Sequence, residues 1–212
     1  MWKNRTARLP GVAMKLTIGV LLTVLLSGCG SLTKSNIPAI HTWWLVPIQA
    51  NSVAAASPDA STAVLVNVEV IPGLDTADIL TLSPNAELSR FTGARWADEL
   101  PELLRSLTGR SLASTGQYDI VSRRDSPNLH RCQLRLQVKA FYAELSGSGI
   151  PEDVRIAMSA EYYCKNKATR RVLEFDKRIP VNADKMGTIV AAFQSGLNQA
   201  MTELSSQMQQ AD

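Results

Sequence analysis

The sequence has few of the side chains that most often perform catalysis or bind metal ions. It contains only two histidines, His41 and His130, and three cysteines among 212 residues. Neither histidine lies beside a nucleophile motif. The sequence has no Gly-x-Ser-x-Gly elbow, phosphate-binding loop, His-Glu-x-x-His or Cys-x-x-Cys. These absences argue against a hydrolase and predict no catalytic residue, no metal site and no cofactor.

The sequence also lacks, near its N-terminus, an apolar run long enough to cross a membrane. The run at residues 16–26 has eleven residues, whereas a spanning helix needs about 20. It ends in Leu-Leu-Ser-Gly-Cys at 25–29, an order typical of a bacterial lipobox, in which the cysteine is lipidated and the preceding segment is removed. We therefore predict a lipoprotein signal peptide at 1–28 and lipidation of Cys29. The alternative is an ordinary secretory signal that ends in a chance cysteine.

The positive net charge belongs to the signal segment. The whole chain has a formal charge of +3, from 22 basic and 19 acidic residues. Removal of residues 1–28 would leave 184 residues with a charge near −1, because the segment has no acid and carries four of the basic residues: Lys3, Arg5, Arg8 and Lys15. The mature chain therefore gives no global indication of nucleic-acid binding. Met14 is an alternative start to Met1.

Residues 29–39 are small and polar, which predicts a lipidated tether. Gly30 follows the lipidated position, where an aspartate would favour retention in the inner membrane, so we expect a periplasm-facing protein anchored in the outer membrane. Several acyl chains give stable anchoring, because each buried CH₂ contributes about 0.8 kcal/mol. Residues 40–212 are then a single domain, long enough to bury a sizeable core.

Hydrophobic periodicity predicts many strands and two main helices in this domain. Leucines repeat along one face of the first helix, and a longer stripe, from Met186 to Met208, marks the second. The second stripe contains methionines, so it fits either packing on a sheet or a pliable binding groove. The predicted class is α/β, a single-domain sandwich in which two amphipathic helices pack on a mixed sheet. The predicted strands are 41–48, 63–71, a hairpin of 78–83 and 87–92, 118–122, 131–145, 154–165 and 171–181, and the helices are 99–115, capped by Asp98, and 183–208.

Two cysteines remain after Cys29 is lipidated. If the hairpin that joins strands 131–145 and 154–165 pivots near Ser148, Cys132 and Cys164 face each other on neighbouring strands. An exported protein meets an oxidising compartment, where such a pair can form a disulfide. We therefore predict a Cys132–Cys164 disulfide, and two unpaired buried cysteines are the alternative.

Three motifs precede or begin the first predicted helix. They are Val-Glu-Val-Ile-Pro-Gly-Leu-Asp at 68–75, Leu-Ser-Pro-Asn at 82–85 and Arg-Trp-Ala-Asp-Glu-Leu-Pro-Glu-Leu-Leu at 95–104. In these motifs, and in its lipobox, early aromatic strand and final amphipathic helix, the chain resembles the auxiliary lipoproteins of ABC-type transport systems, including the lipoprotein of the paraquat-inducible operon. It departs from the family in having Trp43-Trp44-Leu45 where Tyr-Tyr-Leu is common, and in a longer loop at 49–62.

The resemblance implies a non-catalytic role in transport of lipids or other hydrophobic molecules between the two membranes. The implied partners are an MCE-domain protein and an inner-membrane transporter, and a homo-oligomer is a further expectation. A different class of function is a lipid-binding carrier, which would need an internal apolar cavity.

Arg95 and Trp96 are the candidate partner interface, just before the first predicted helix. Tryptophan and arginine are enriched at binding hot spots, because each offers a large contact area with a polar group. In the alternative interpretation Trp96 closes one end of the core, and Arg95 pairs with Asp98 or Glu99.

Overall fold

A computed structural model of the chain describes residues 39–49, 62–121, 132–165 and 170–210. Residues from Ala39 onward form one compact unit. Cys29, His130, the signal peptide predicted at 1–28 and most of the predicted tether lie outside the described residues.

Within this part of the chain, eight strands form one mixed sheet and two helices pack against it. This confirms the α/β class and the single-domain organisation. The predicted hairpin at 78–92 is also confirmed, since its two strands pair antiparallel. The elements are β1 (His41–Trp43), β2 (Thr62–Val70), β3 (Asp78–Leu82), β4 (Leu88–Trp96), α1 (Leu100–Ala113), β5 (Tyr118–Val121), β6 (Cys132–Leu145), β7 (Pro151–Cys164), β8 (Arg170–Pro180) and α2 (Met186–Gln209).

The long strand β6 organises the sheet. One of its edges pairs with two parallel strands in turn, first β2 along Cys132 to Val138 and then β3 at Ala143 and Glu144. β5 extends the sheet beyond β2, and β4 and β1 extend it beyond β3. The other edge of β6 pairs antiparallel with β7, which pairs with β8.

Both helices cover the same face of the sheet, because α1 contacts β2 and β5, α2 contacts β7 and β8, and the helices contact each other. Side chains alternate along a strand, so β6 turns Leu134, Leu136 and Val138 into the core and Arg135 and Gln137 toward solvent. The leucine stripe of α1 and the longer stripe of α2 are buried. Of the two interpretations of the methionine-bearing stripe, burial favours packing on the sheet over a pliable binding groove.

The first strand is shorter than predicted. β1 ends at Trp43, whereas the sequence pattern indicated a strand through Ile48. The backbone beyond β1 bonds to helix side chains instead of to a neighbouring strand. The Gln194 amide of α2 pairs with both backbone groups of Val46 at 2.8 and 2.9 Å, and the Ser111 hydroxyl of α1 accepts from the Ile48 N–H at 3.1 Å.

The junction between β4 and α1 also differs from the prediction. β4 continues through Trp96, and α1 begins at Leu100 after Glu99, whose side chain makes no capping hydrogen bond. The Asp98 carboxylate, predicted to cap the helix, instead accepts from the backbone N–H of Glu99 at 2.9 Å. The helix starts one residue later than predicted, and the Leu100 N–H, which has no partner within the helix, donates to the carbonyl of Thr76 at 3.1 Å.

Among the described helices, none combines the length and the apolar composition that crossing a bilayer requires.

Candidate functional site

Trp96 lies in the centre of the core. Its side chain is 1% exposed, and its ring packs edge-to-face against Phe141 of β6 at 5.9 Å and Phe193 of α2 at 5.2 Å between ring centroids. The two phenylalanines contact each other at 4.8 Å. One aromatic cluster therefore joins β4, β6 and α2, and the burial of Trp96 favours the core interpretation over a surface contact.

The Arg95 side chain points away from the core. It precedes Trp96 in β4, so alternation directs its side chain to the exposed side. Its Nε donates to the carbonyl oxygen of Trp96 at 3.4 Å. The ion pairs found in the described part of the chain do not include Arg95 with Asp98 or Glu99. Of the two residues predicted as an interface, Arg95 alone offers side-chain surface, and its role there stays a prediction.

Cys132 and Cys164 lie opposite each other in the β6–β7 ladder, with Cα atoms 3.9 Å apart and their Sγ atoms joined. The register at both ends of this hairpin is that expected from a pivot near Ser148. A bulge after Val138 shifts the pairing by one residue, and an irregularity before Leu145 restores it. That the disulfide forms in the exported protein stays a prediction.

The face of the sheet opposite the helices carries paired charges. Lys139 binds Glu174 at 2.9 Å, and Arg155 binds Asp176 at 3.0 Å. The hydrogen bond from the Arg155 guanidinium lowers the pKa of Asp176 and raises that of Arg155. Since these side chains are partly exposed, the pairs are typical of a solvated face and contribute little stability.

A groove of about 910 Å³ lies between α1 and β2, next to the short strand β5. It is open, and its lining includes charged groups of both signs, among them Glu102, Arg105 and Arg135. A smaller cleft of about 260 Å³ between the helices is more apolar, lined by Ile48, Leu112 and Met201 among others. Its volume is below the roughly 300–1,000 Å³ of typical ligand pockets. No group of three or more His, Cys, Asp or Glu side chains suited to a metal occurs in the described ranges.

Sequence reasoning missed one surface feature, the exposed side of residues 40–46. Trp44 is 58% exposed, although it follows the half-buried Trp43. The signal was present in the sequence, because two adjacent tryptophans in an extended segment must point to opposite sides. The prediction assigned both to one strand, 41–48, and did not place the two side chains on opposite sides.

The fold and the buried motif define an α/β protein with both helices on one face of a mixed sheet. The chain belongs to the family of ABC-type transport auxiliary lipoprotein components, whose model matches residues 45–205. It is thus related to a transport component, as the resemblance of its motifs indicated.

Two solved structures share the fold at low sequence identity. A crystal structure of an uncharacterized protein is 14% identical, with a TM-score of 0.63 over 80% of this chain and 99% of that chain. Protein XCC0632 from Xanthomonas campestris is 19% identical, with a TM-score of 0.60 over 82% of this chain and 98% of that chain. No curated protein is significantly similar to the chain in sequence.

Proposed function

We propose that this chain is an outer-membrane-anchored, periplasm-facing lipoprotein that serves as a non-catalytic component of an envelope transport system for lipids or other hydrophobic molecules. The observation that carries the proposal is the family match over residues 45–205. The lipobox that ends at Cys29 and the glycine at position 30 support the anchor and its location. Residues 29–39 are the tether and residues 40–212 the transport-associated domain.

A structural role fits the chemistry of the described residues. The family motif at 95–104 contributes a core tryptophan and the start of α1, and the paired charges of the open sheet face resemble a solvated surface. A component that joins other proteins needs such a stable scaffold and no reactive group. The grooves described above are open or small, so they support a scaffold better than a carrier that encloses lipid.

The partners we propose are an MCE-domain protein and the membrane components of its transporter. The test is purification of the tagged, full-length protein from membranes after mild cross-linking, with an unrelated tagged outer-membrane lipoprotein as the control. We expect an MCE-domain protein to be enriched with this chain and absent from the control. Failure to enrich one with folded, membrane-anchored protein would contradict the proposal. Stoichiometric co-purified lipid without such a partner would favour the carrier.

A further inference from the structure

The first described segment carries three exposed, large apolar side chains. Ile40, Trp44 and Val46 are 61%, 58% and 57% exposed, whereas Leu45 between the last two is fully buried. Thr42 between them is also exposed, and we call Ile40, Thr42, Trp44 and Val46 the apolar strip. Six residue steps separate Ile40 from Val46, so the strip is at most about 22 Å long.

The segment is fastened to the domain, so the strip cannot turn inward. Leu45 is anchored in the core, and both backbone groups of Val46 are bonded to the Gln194 amide of α2. Beyond it, the Ile48 carbonyl accepts from the Ser114 hydroxyl of α1 at 3.0 Å. The fold therefore holds three large apolar side chains in solvent, although burying apolar surface is favourable by about 25 cal/mol per Å².

The strip lies where the proposed anchor enters the domain. Ten residue steps separate Cys29 from Ala39, and even a fully extended chain of that length spans at most about 35 Å. A lipid on Cys29 would thus keep the strip near the bilayer surface. Val172 is also 60% exposed, but it lies on β8, at the opposite edge of the sheet from β1.

The chemistry of the strip suits a lipid headgroup region. Residues 39–49 contain no acidic side chain. The Arg110 guanidinium of α1 lies 5.9 Å from the ring centroid of Trp44, which places a cation beside the exposed indole. Tryptophan is enriched at membrane–water interfaces, where its ring meets the apolar boundary and its N–H meets water.

We propose that the apolar strip docks on the surface of the membrane that holds Cys29, with Trp44 at the headgroup level. The inference rests on the lipid anchor of the proposed function. Docking would fix the orientation of the domain on the membrane.

The experiment uses lipidated protein, purified from the envelope and reconstituted into vesicles of phosphatidylethanolamine and phosphatidylglycerol with brominated acyl chains, which quench nearby tryptophan. The mature chain keeps Trp43, Trp44 and Trp96, and of these Trp44 is exposed. We expect brominated lipid to reduce the emission of the unmodified protein, and Trp44→Phe to abolish most of this quenching. As the matched control, Val172→Trp in the Trp44→Phe background restores an exposed tryptophan away from the strip and should not restore quenching.

Flotation of the same vesicles separates failure of docking from failure of the anchor. Protein that floats with the vesicles but shows no quenching at Trp44 would overturn the docking and leave the anchor intact. Shielding of Trp44 from aqueous iodide without quenching by brominated lipid would indicate a protein partner and would also overturn it. Protein that carries no lipid on Cys29 and does not float would overturn the proposed anchor, and this docking with it.

Discussion

Trp96 and Trp44 show how position decides the role of the same side chain. Trp96 ends β4, and its ring is enclosed by Phe141 and Phe193. Trp44 follows the short β1, and its ring faces solvent beside Arg110. The first contributes mainly to stability through dispersion and apolar burial, and the second remains free to contact another surface.

We predict that Trp96→Ala lowers the free energy of unfolding by about 3–5 kcal/mol, because it leaves a cavity at the centre of the aromatic cluster. Arg95→Ala is the control, since an exposed substitution should change that free energy by less than about 0.5 kcal/mol. Urea unfolding measures both variants. A Trp96→Ala variant as stable as the parent, with weakened binding to the MCE-domain partner, would restore the interface interpretation.

For Cys132 and Cys164 we predict an oxidised pair in protein isolated from the envelope. Mass spectrometry of non-reduced peptides identifies the cross-linked peptide directly. In the loop-entropy model the double variant Cys132→Ala/Cys164→Ala should be less stable by about 3–4 kcal/mol. The parent protein under reducing conditions is the matched comparison, and it should lose a similar amount. Two freely alkylated thiols in the envelope-derived protein would refute the pairing.

At the scale of elements, the segment after β1 and helix α2 depend on each other. The Gln194 side chain supplies a donor and an acceptor to Val46, a pairing that another strand would otherwise provide. Local β propensity does not register this side-chain pairing, so it indicated a strand that continues beyond Trp43. The helices prevent a longer strand, because the Gln194 side chain of α2 already bonds the backbone groups of Val46.

Helix α2 packs tightly against the sheet at Gly196. A Cβ at this position would lie 3.0 Å from Cδ1 of Ile156 and 3.1 Å from Cγ1 of Ile179. Alanine gains about 1 kcal/mol of helix propensity over glycine, whereas overpacking costs about 1–3 kcal/mol. We therefore predict that Gly196→Ala lowers the free energy of unfolding by about 1 kcal/mol.

Gly187 in the same helix provides the control. A Cβ there would lie 3.8 Å from the Trp43 ring, an ordinary contact. Gly187→Ala should thus leave the urea midpoint unchanged or raise it. Equal midpoints for Gly187→Ala and Gly196→Ala would show that α2 can move away from β7 and β8 at no cost.

At the scale of the whole molecule, the proposed role depends on the anchor. We predict that Cys29→Ser prevents lipidation and leaves the precursor uncleaved, because the modifying enzyme needs the thiol. Ser27→Ala, which keeps a small residue and the cysteine, is the control and should mature as the parent does. Electrophoretic mobility and labelling with a fatty-acid analogue measure both. Normal maturation of Cys29→Ser in the membrane fraction would end the lipoprotein assignment.

Much of the architecture could be predicted from the sequence, because it depends on local periodicity. The alternation along β6 and the repeat along α2 are imposed by the two-residue and 3.6-residue periods of strand and helix. The pivot near Ser148 similarly indicated the register that places Cys132 opposite Cys164. These relations join residues near in sequence, or residues linked by a single turn.

The order of the strands was decided by the tertiary structure alone. β2 and β3 share one edge of β6 although 68 residues separate Val64 from its partner Cys132 and 62 separate Thr81 from Ala143, and no local pattern encodes such pairings. The burial of Trp96 and the exposure of Trp44 likewise depend on contacts between residues that are distant in sequence. The sequence by itself determined which segments are amphipathic and predicts where a lipid anchor would lie, whereas packing of distant elements decided which tryptophan is enclosed and which remains exposed.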